Sequence, residues 1–172
     1  MADNIILDFD VNDRQPSAKS IHWSEFRKIN YVSNCLSLMT VNARSISNKF
    51  SEFLGYVSML KFKLSFILIT ESWLSESSDF LLEIPGYNSF NYYRKCGRGG
   101  GLKFYVLKSI NCKIIETPLN NACEILMLEA NIPGLGQTKV CGCYRPPQNS
   151  LPDFFSFSER LLNDYSSHKF IA

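Results

Sequence analysis

Residues 36–71 read LSLMTVNARSISNKFSEFLGYVSMLKFKLSFILITE. Two apolar runs, Leu36 to Val41 and Ser65 to Thr70, flank a stretch in which Phe53, Leu54, Val57 and Leu60 recur every three or four positions. Short unbroken apolar runs suit strands buried on both faces, and the intervening spacing is that of an amphipathic helix. Ser47-Asn48-Lys49 supplies cap-type residues ahead of that helix. The result is a strand–helix–strand unit, with its strands parallel and the helix crossing over right-handedly.

The first run hands over to Asn42 and the second to Glu71. In layered α/β proteins, ligands bind beyond the carboxyl ends of neighbouring strands. An amide and a carboxylate, both oxygen donors of the kind hard cations take, are therefore expected at one crevice. A carboxylate directly after a buried strand is costly to desolvate unless it is paired or coordinates a metal, so a rim salt bridge is the other reading of Glu71. An Asn ahead of a helix also serves as a turn or cap residue.

Downstream, Ile84-Pro85-Gly86-Tyr87 is turn chemistry, and the aromatic stretch Asn88 to Tyr93 runs into Arg94-Lys95-Cys96-Gly97-Arg98-Gly99-Gly100-Gly101. This basic, glycine-rich loop either brings amides and cations to phosphates or forms a solvated hairpin. It lacks the lysine–serine ending of a nucleotide-binding loop. Leu102 to Leu107, Cys112 to Glu116, Glu124 to Ala130 and Thr138 to Tyr144 read as short strands of an antiparallel meander, closed by Tyr144-Arg145-Pro146-Pro147. Pro152 to Tyr165 carries Phe154, Phe157, Leu161 and Leu162 on a helical face. A new apolar run then opens at His168 and stops at Ala172, which is expected of a domain cut partway through a strand. Residues 1–34 show no sustained periodicity and are read as a leader of uncertain order, with the truncated domain over 35–172.

A chain of 172 residues, 45% hydrophobic, suffices for one substantial core. Its net charge of +2 excludes a global field drawing it to nucleic acid or anionic membrane, so any such contact is local. None of the six cysteines forms a CxxC pair, and the thiols of Cys141-Gly142-Cys143 are expected to point to opposite faces, which argues against structural zinc. No cationic segment followed by an apolar stretch opens the chain, and its apolar runs fall far short of the ~20 residues of a membrane span. The expectation is a reduced, intracellular, soluble protein with free thiols.

The ordered series VNARSISNKF, ILITESWL, IPGYNSFNYYRKCGRGGGLKFYV, the isolated acid of ACEILMLEA, and VCGCYRPP before an aromatic helix resembles the endonuclease domain of jockey-like non-LTR retrotransposons. That domain belongs to the endonuclease/exonuclease/phosphatase family, and the resemblance covers about Leu36 to Ala172. It implies an α/β fold: a partial four-layer α/β sandwich, mainly the first sheet with its helices, the second half missing. It implies a Mg²⁺ (or Mn²⁺) ion held by Glu71 with Asn42, a phosphate contact by Tyr144, and DNA-backbone contacts by Arg98 and Arg145. The implied activity is nicking of target DNA to prime reverse transcription, with DNA as partner and the nucleus as a compatible location.

The same resemblance calls for a later Gly-Asp-Phe-Asn motif, a further Asp and a Ser-Asp-His motif, and this sequence contains none of the named runs. Its two histidines, His22 and His168, occupy no matching place. The expectations are therefore little or no nicking and a bare apolar face on the first sheet through which the chain self-associates. The alternative is a non-catalytic remnant or interaction module using that face.

Overall fold

The strand–helix–strand unit forms as read. The computed structural model describes residues 36–95, 97, 99–118 and 120–172, together with the backbone of two strands at 5–9 and 17–20. Strands β1 (Ile5–Phe9) and β2 (Ser17–Ser20) precede β3 (Leu36–Asn42), helix α1 (Phe50–Ser58) and β4 (Phe66–Thr70). β3 and β4 pair in parallel with Asn42 opposite Thr70. The expected side-chain cap is replaced by a 3-10 turn over Ser47–Lys49, with no cap hydrogen bond at the start of α1.

β5 (Tyr87–Tyr92) and β6 (Leu102–Leu107) complete a six-stranded sheet in the order β2-β1-β3-β4-β6-β5. β7 (Asn111–Ile114), β8 (Glu124–Ile132), β9 (Gly136–Tyr144) and β10 (Lys169–Ile171) form a second sheet, with helix α2 (Leu151–Asp164) between β9 and β10. The meander read from Leu102 onward thus divides after Leu107: β6 joins the first sheet, and only β7, β8 and β9 form the meander. The reason is burial, since Leu102 through Val106 is buried on both faces and needs a covering layer on each side.

Side-chain alternation builds four layers. Met39, Ile67, Ile69 and Tyr105 face α1 and pack around Phe53. The opposite face of the same sheet presents Leu36, Leu38, Phe66, Leu68, Phe104 and Val106 to Leu126, Leu128, Ala130, Ile132 and Val140 of the second. The outer face of the second sheet, with Ile125, Met127 and Cys141, is covered by Phe157 and Leu161 of α2. Apolar burial on this pattern stabilises by roughly 25 cal/mol per Å².

Two expectations are corrected here. The first sheet's inner face is covered rather than bare, because four strands of the second sheet pack on it. Cys141 and Cys143, two positions apart in β9, share a face and both pack in the α2 layer, whereas Gly142 faces the first sheet. A Cβ at Gly142 would come within 2.6 Å of Phe104 and 2.9 Å of Leu68, so the two sheets leave no room for a side chain here. Among the described residues no helix is long and apolar enough to cross a membrane.

Candidate active site

All the candidate residues that the structure describes lie at one end of the sandwich. The parallel strands β3 and β4 end there at Asn42 and Thr70, and antiparallel β6 begins there, with Leu102 opposite Thr70. In the second sheet β8 starts and β9 ends there, with Glu124 directly opposite Tyr144. The backbone beyond β3 stays attached to β4: Ala43 N–H donates to Thr70 O at 3.0 Å, Ser45 N–H to Glu71 O at 2.9 Å, and Ile46 N–H to Ser72 O at 3.2 Å.

This end is also where the chain is conformationally strained. Arg44, Ser45, Glu71 and Trp73 have φ of 42°, 75°, 50° and 56°, the left-handed region that side chains resist. Such geometry costs about 1–2 kcal/mol per residue and persists only where surrounding bonds enforce it. Here Ser72 N–H donates to Gly101 O at 3.1 Å and Trp73 N–H to Gly100 O at 2.9 Å, adding to the three bonds from the β3 side.

The corner directs the Glu71 carboxylate toward the second sheet, where Oε1 accepts the hydroxyl hydrogen of Tyr144. Burial first, and then the Glu71 carboxylate, push the Tyr144 phenol up to about 12. The phenol is therefore a donor at neutral pH. Because its folded pKa lies above the ordinary value of 10.0, its contribution to stability is fully present below pH 10 and is lost as pH rises to about 12. Urea denaturation at successive pH values should show Tyr144→Phe losing less stability than the parent across that window.

Asn42 is exposed at the end of β3, and no hydrogen bond of its side chain is found among the described residues. Arg145 braces the turn after β9, its Nη1 donating to the carbonyls of Pro146 (3.2 Å), Pro147 (3.3 Å) and Asn149 (2.6 Å). Arg98 lies outside the described residues. His168 is exposed, edge-on to Tyr165.

The glycine-rich loop has an unexpected centre. Glu124 is 6% exposed and accepts from Arg94 Nε through Oε1 and from Gly101 N–H at 2.6 Å through Oε2. The loop's Gly101 amide and Arg94 guanidinium, open in sequence to either a phosphate or a solvated hairpin, thus hold a protein carboxylate. Gly99, Gly100 and Gly101 have φ of 85°, 73° and 83°, and a Cβ at Gly101 would lie 2.7 Å from Ser72 Oγ. Glu124 stood out in sequence only as an isolated acid. Ser72 and Trp73 carried no signal beyond following Glu71.

Ser72 is 1% exposed, and its Oγ has no hydrogen-bond partner among the described residues. A buried unsatisfied hydroxyl is destabilising, so Ser72→Ala should leave stability unchanged or raise it by about 1 kcal/mol in urea denaturation. A clear loss of stability would instead reveal a partner for the hydroxyl.

No protein-family model and no curated protein sequence matches the chain. Solved structures do. A humanized D. rerio TDP2 carrying 14 mutations aligns with a TM-score of 0.53 at 14% identity, covering 76% of this chain and 56% of that one. The 3′ phosphatase NExo from Neisseria, bound to a product DNA hairpin, aligns at 0.46 and 12% identity over 76% and 53% of the two chains. The AP endonuclease LMAP from Leishmania major aligns at 0.46 and 14% identity over 84% and 52%. The chain thus spans about half the length of these structures. With two packed sheets between helical layers and the likeness to TDP2, the chain has the α/β sandwich fold of the endonuclease/exonuclease/phosphatase proteins, present in part.

Proposed function

We propose that Asn42, Glu71 and Tyr144 are the metal- and phosphate-handling part of a Mg²⁺-dependent DNA endonuclease of the retrotransposon type, one that nicks target DNA to prime reverse transcription. The observation that carries this reading is the Tyr144–Glu71 hydrogen bond, which joins the two sheets at the end where Asn42 also terminates. The donor set suits a hard dication. Glu71 offers a carboxylate whose Oε2 has no partner among the described residues, and Asn42 offers an amide oxygen on the neighbouring strand end. Mg²⁺ sites use one or two such protein oxygens and complete themselves with water and substrate phosphate.

When bound, the ion supplies Lewis acidity to a phosphoryl oxygen. The residues around it orient and donate. Tyr144 fixes the Glu71 carboxylate through its single O–H, which burial and that carboxylate keep protonated. Asn42 presents a neutral amide to an anionic group without adding charge. What the 172 residues do not contain is a Gly-Asp-Phe-Asn or Ser-Asp-His run, the family's source of a water-activating acid and histidine. Residues acting as a unit are not individually dispensable, so the chain alone should nick poorly.

Two measurements test this reading. Mn²⁺ titrated into the labelled protein should broaden the resonances of residues 42, 71 and 144 first, and Glu71→Gln should abolish that selectivity. Supercoiled plasmid with Mg²⁺ should remain essentially unrelaxed. Rapid relaxation that is lost in Glu71→Gln would show that the chain needs nothing further for catalysis.

A further inference from the structure

Three thiols gather on one face of the second sheet. Ile125 pairs with Cys143 and Met127 with Cys141 across β8 and β9, and Cys123 stands two positions before Ile125. The period of a strand therefore turns all three cysteines to the α2 side, where they pack with Phe157 and Leu161. Cys123 and Cys141 are buried there and Cys143 is half-buried. Free cysteine packs as a small hydrophobe, so burial alone asks for no chemistry.

Direct contact between two of them sets this cluster apart from packing. The Cys143 S–H donates to the Cys123 sulfur, and this bond holds the Cys123 thiol below its ordinary value. The same bond, and then burial, push the Cys143 thiol up. Cys123 Sγ also donates at 3.4 Å to Asn120 Oδ1, which accepts the Cys123 N–H at 2.9 Å. Asn120 in turn lines an open cleft of about 420 Å³ with Ala122 and Asn149, so small solutes reach the loop that carries Cys123. A more acidic thiol touching a second one is the arrangement in which an oxidised sulfur finds a resolving partner.

We infer that Cys123 and Cys143 are a redox modification site, at which hydrogen peroxide converts the thiol pair to a reversible disulfide. The Cys123 thiolate attacks one peroxide oxygen, the O–O bond breaks, and the departing oxygen takes up the thiol's proton and leaves as water. Cys123 is then a sulfenic acid. The Cys143 sulfur attacks it, gives up its own proton and expels the hydroxyl as a second water. Two thiols are oxidised and one peroxide is reduced to two waters. Cys123 lies just outside the β8 ladder, which leaves its backbone free to adjust to the Cα spacing of about 5.5–6 Å that a disulfide prefers. Cys123 is followed by Glu124, the anchor of the glycine loop, and Cys143 by Tyr144, the partner of Glu71. The bond thus forms at the root of the candidate site, and the inference does not depend on the nuclease reading.

The test treats the folded chain with hydrogen peroxide, blocks the remaining thiols with N-ethylmaleimide, and compares tryptic peptides with and without dithiothreitol. Cleavage after Lys113, Lys139 and Arg160 puts Cys123 in residues 114–139 and Cys141 with Cys143 in 140–160, since Pro146 protects Arg145. The expected product is these two peptides joined by a bond that dithiothreitol reopens, with fragmentation at Gly142 placing the link on Cys143. Cys112 is the internal control: half-buried between the sheets, its thiol pushed up to about 11 by burial, it should still take the maleimide. Cys143→Ser should lose the link and leave Cys123 as a sulfenic acid that dimedone captures. A link to Cys141 or Cys112, joined peptides found only in covalent dimers, or Cys123 carried to sulfinic acid with no link in the parent chain would each overturn the pairing. So would thiols left intact at a peroxide concentration that oxidises free glutathione.

Discussion

Replacing Gly100 with alanine should lower the free energy of unfolding by about 4 kcal/mol, because two separate costs meet at this position. A φ of 73° is unfavourable for alanine by about 1–2 kcal/mol. The added methyl would also overlap Arg94 Nε and Glu124 Oε1, the two atoms of a partly buried ion pair. Prising the pair apart costs about 2–3 kcal/mol, less than the roughly 3–5 kcal/mol of a fully buried pair, because Arg94 is 18% exposed. Gly134 provides the control: its φ is 79°, but a Cβ there meets nothing within 4 Å. Gly134→Ala should therefore lose only the conformational part, about 1–2 kcal/mol. Equilibrium urea denaturation of the two variants separates the effects, and equal losses would mean that the Glu124 centre contributes nothing to holding the loop.

Asp79→Ala should be comparably damaging, at about 3–5 kcal/mol, because it strands a buried ammonium. Lys103 is 0% exposed near the start of β6, and its Nζ pairs with Asp79 Oδ1 and donates to Asn91 Oδ1 at 3.2 Å. The other Asp79 oxygen accepts from Asn91 Nδ2 at 2.6 Å and from the Tyr93 hydroxyl at 2.9 Å. One carboxylate on a 3-10 turn, Asp79–Leu81, thus ties down both β5 and β6 at the edge of the first sheet. Replacing a buried pair by apolar residues is often neutral or stabilising, whereas removing one member is not. The double variant Asp79→Ala with Lys103→Met should therefore recover most of the loss. Calorimetry on the single and double variants reads this directly, and a double variant no more stable than Asp79→Ala would refute the stranded-charge account.

Legibility in the sequence followed the range of the interactions. The unit from Leu36 to Glu71 was readable because each strand is an unbroken apolar run and the helix repeats at its own period. β1 and β2 lie within the stretch read as a leader; their place is set by pairing with β3, Ile6 opposite Met39 and Leu7 opposite Leu38, which no local pattern encodes. The loop at Arg94 to Gly101 was visible as glycines and cations, but its centre is Glu124, more than twenty residues away in sequence. Neither the phosphate-binding reading nor the solvated hairpin that the sequence offers includes this internal carboxylate. The shared face of Cys141 and Cys143 follows from a period of two and was misread. The strained corner at Glu71 and Trp73 arises from bonds to Gly100, Gly101 and Ser45, all made by chain segments distant in sequence.

The long β8–β9 hairpin bears on the order of assembly. Its nine-residue strands are joined through Pro133, Gly134 and Leu135, and their ladder runs from Ile132 opposite Gly136 out to Glu124 opposite Tyr144. Contacts that begin so close in sequence close small loops, and small loops cost little chain entropy, so this ladder can zip up before the first sheet has gathered its distant strands. Glu124 and Tyr144 would then be set side by side early. The Tyr144–Glu71 bond, which spans 73 positions in sequence, is then expected to close after the hairpin has formed.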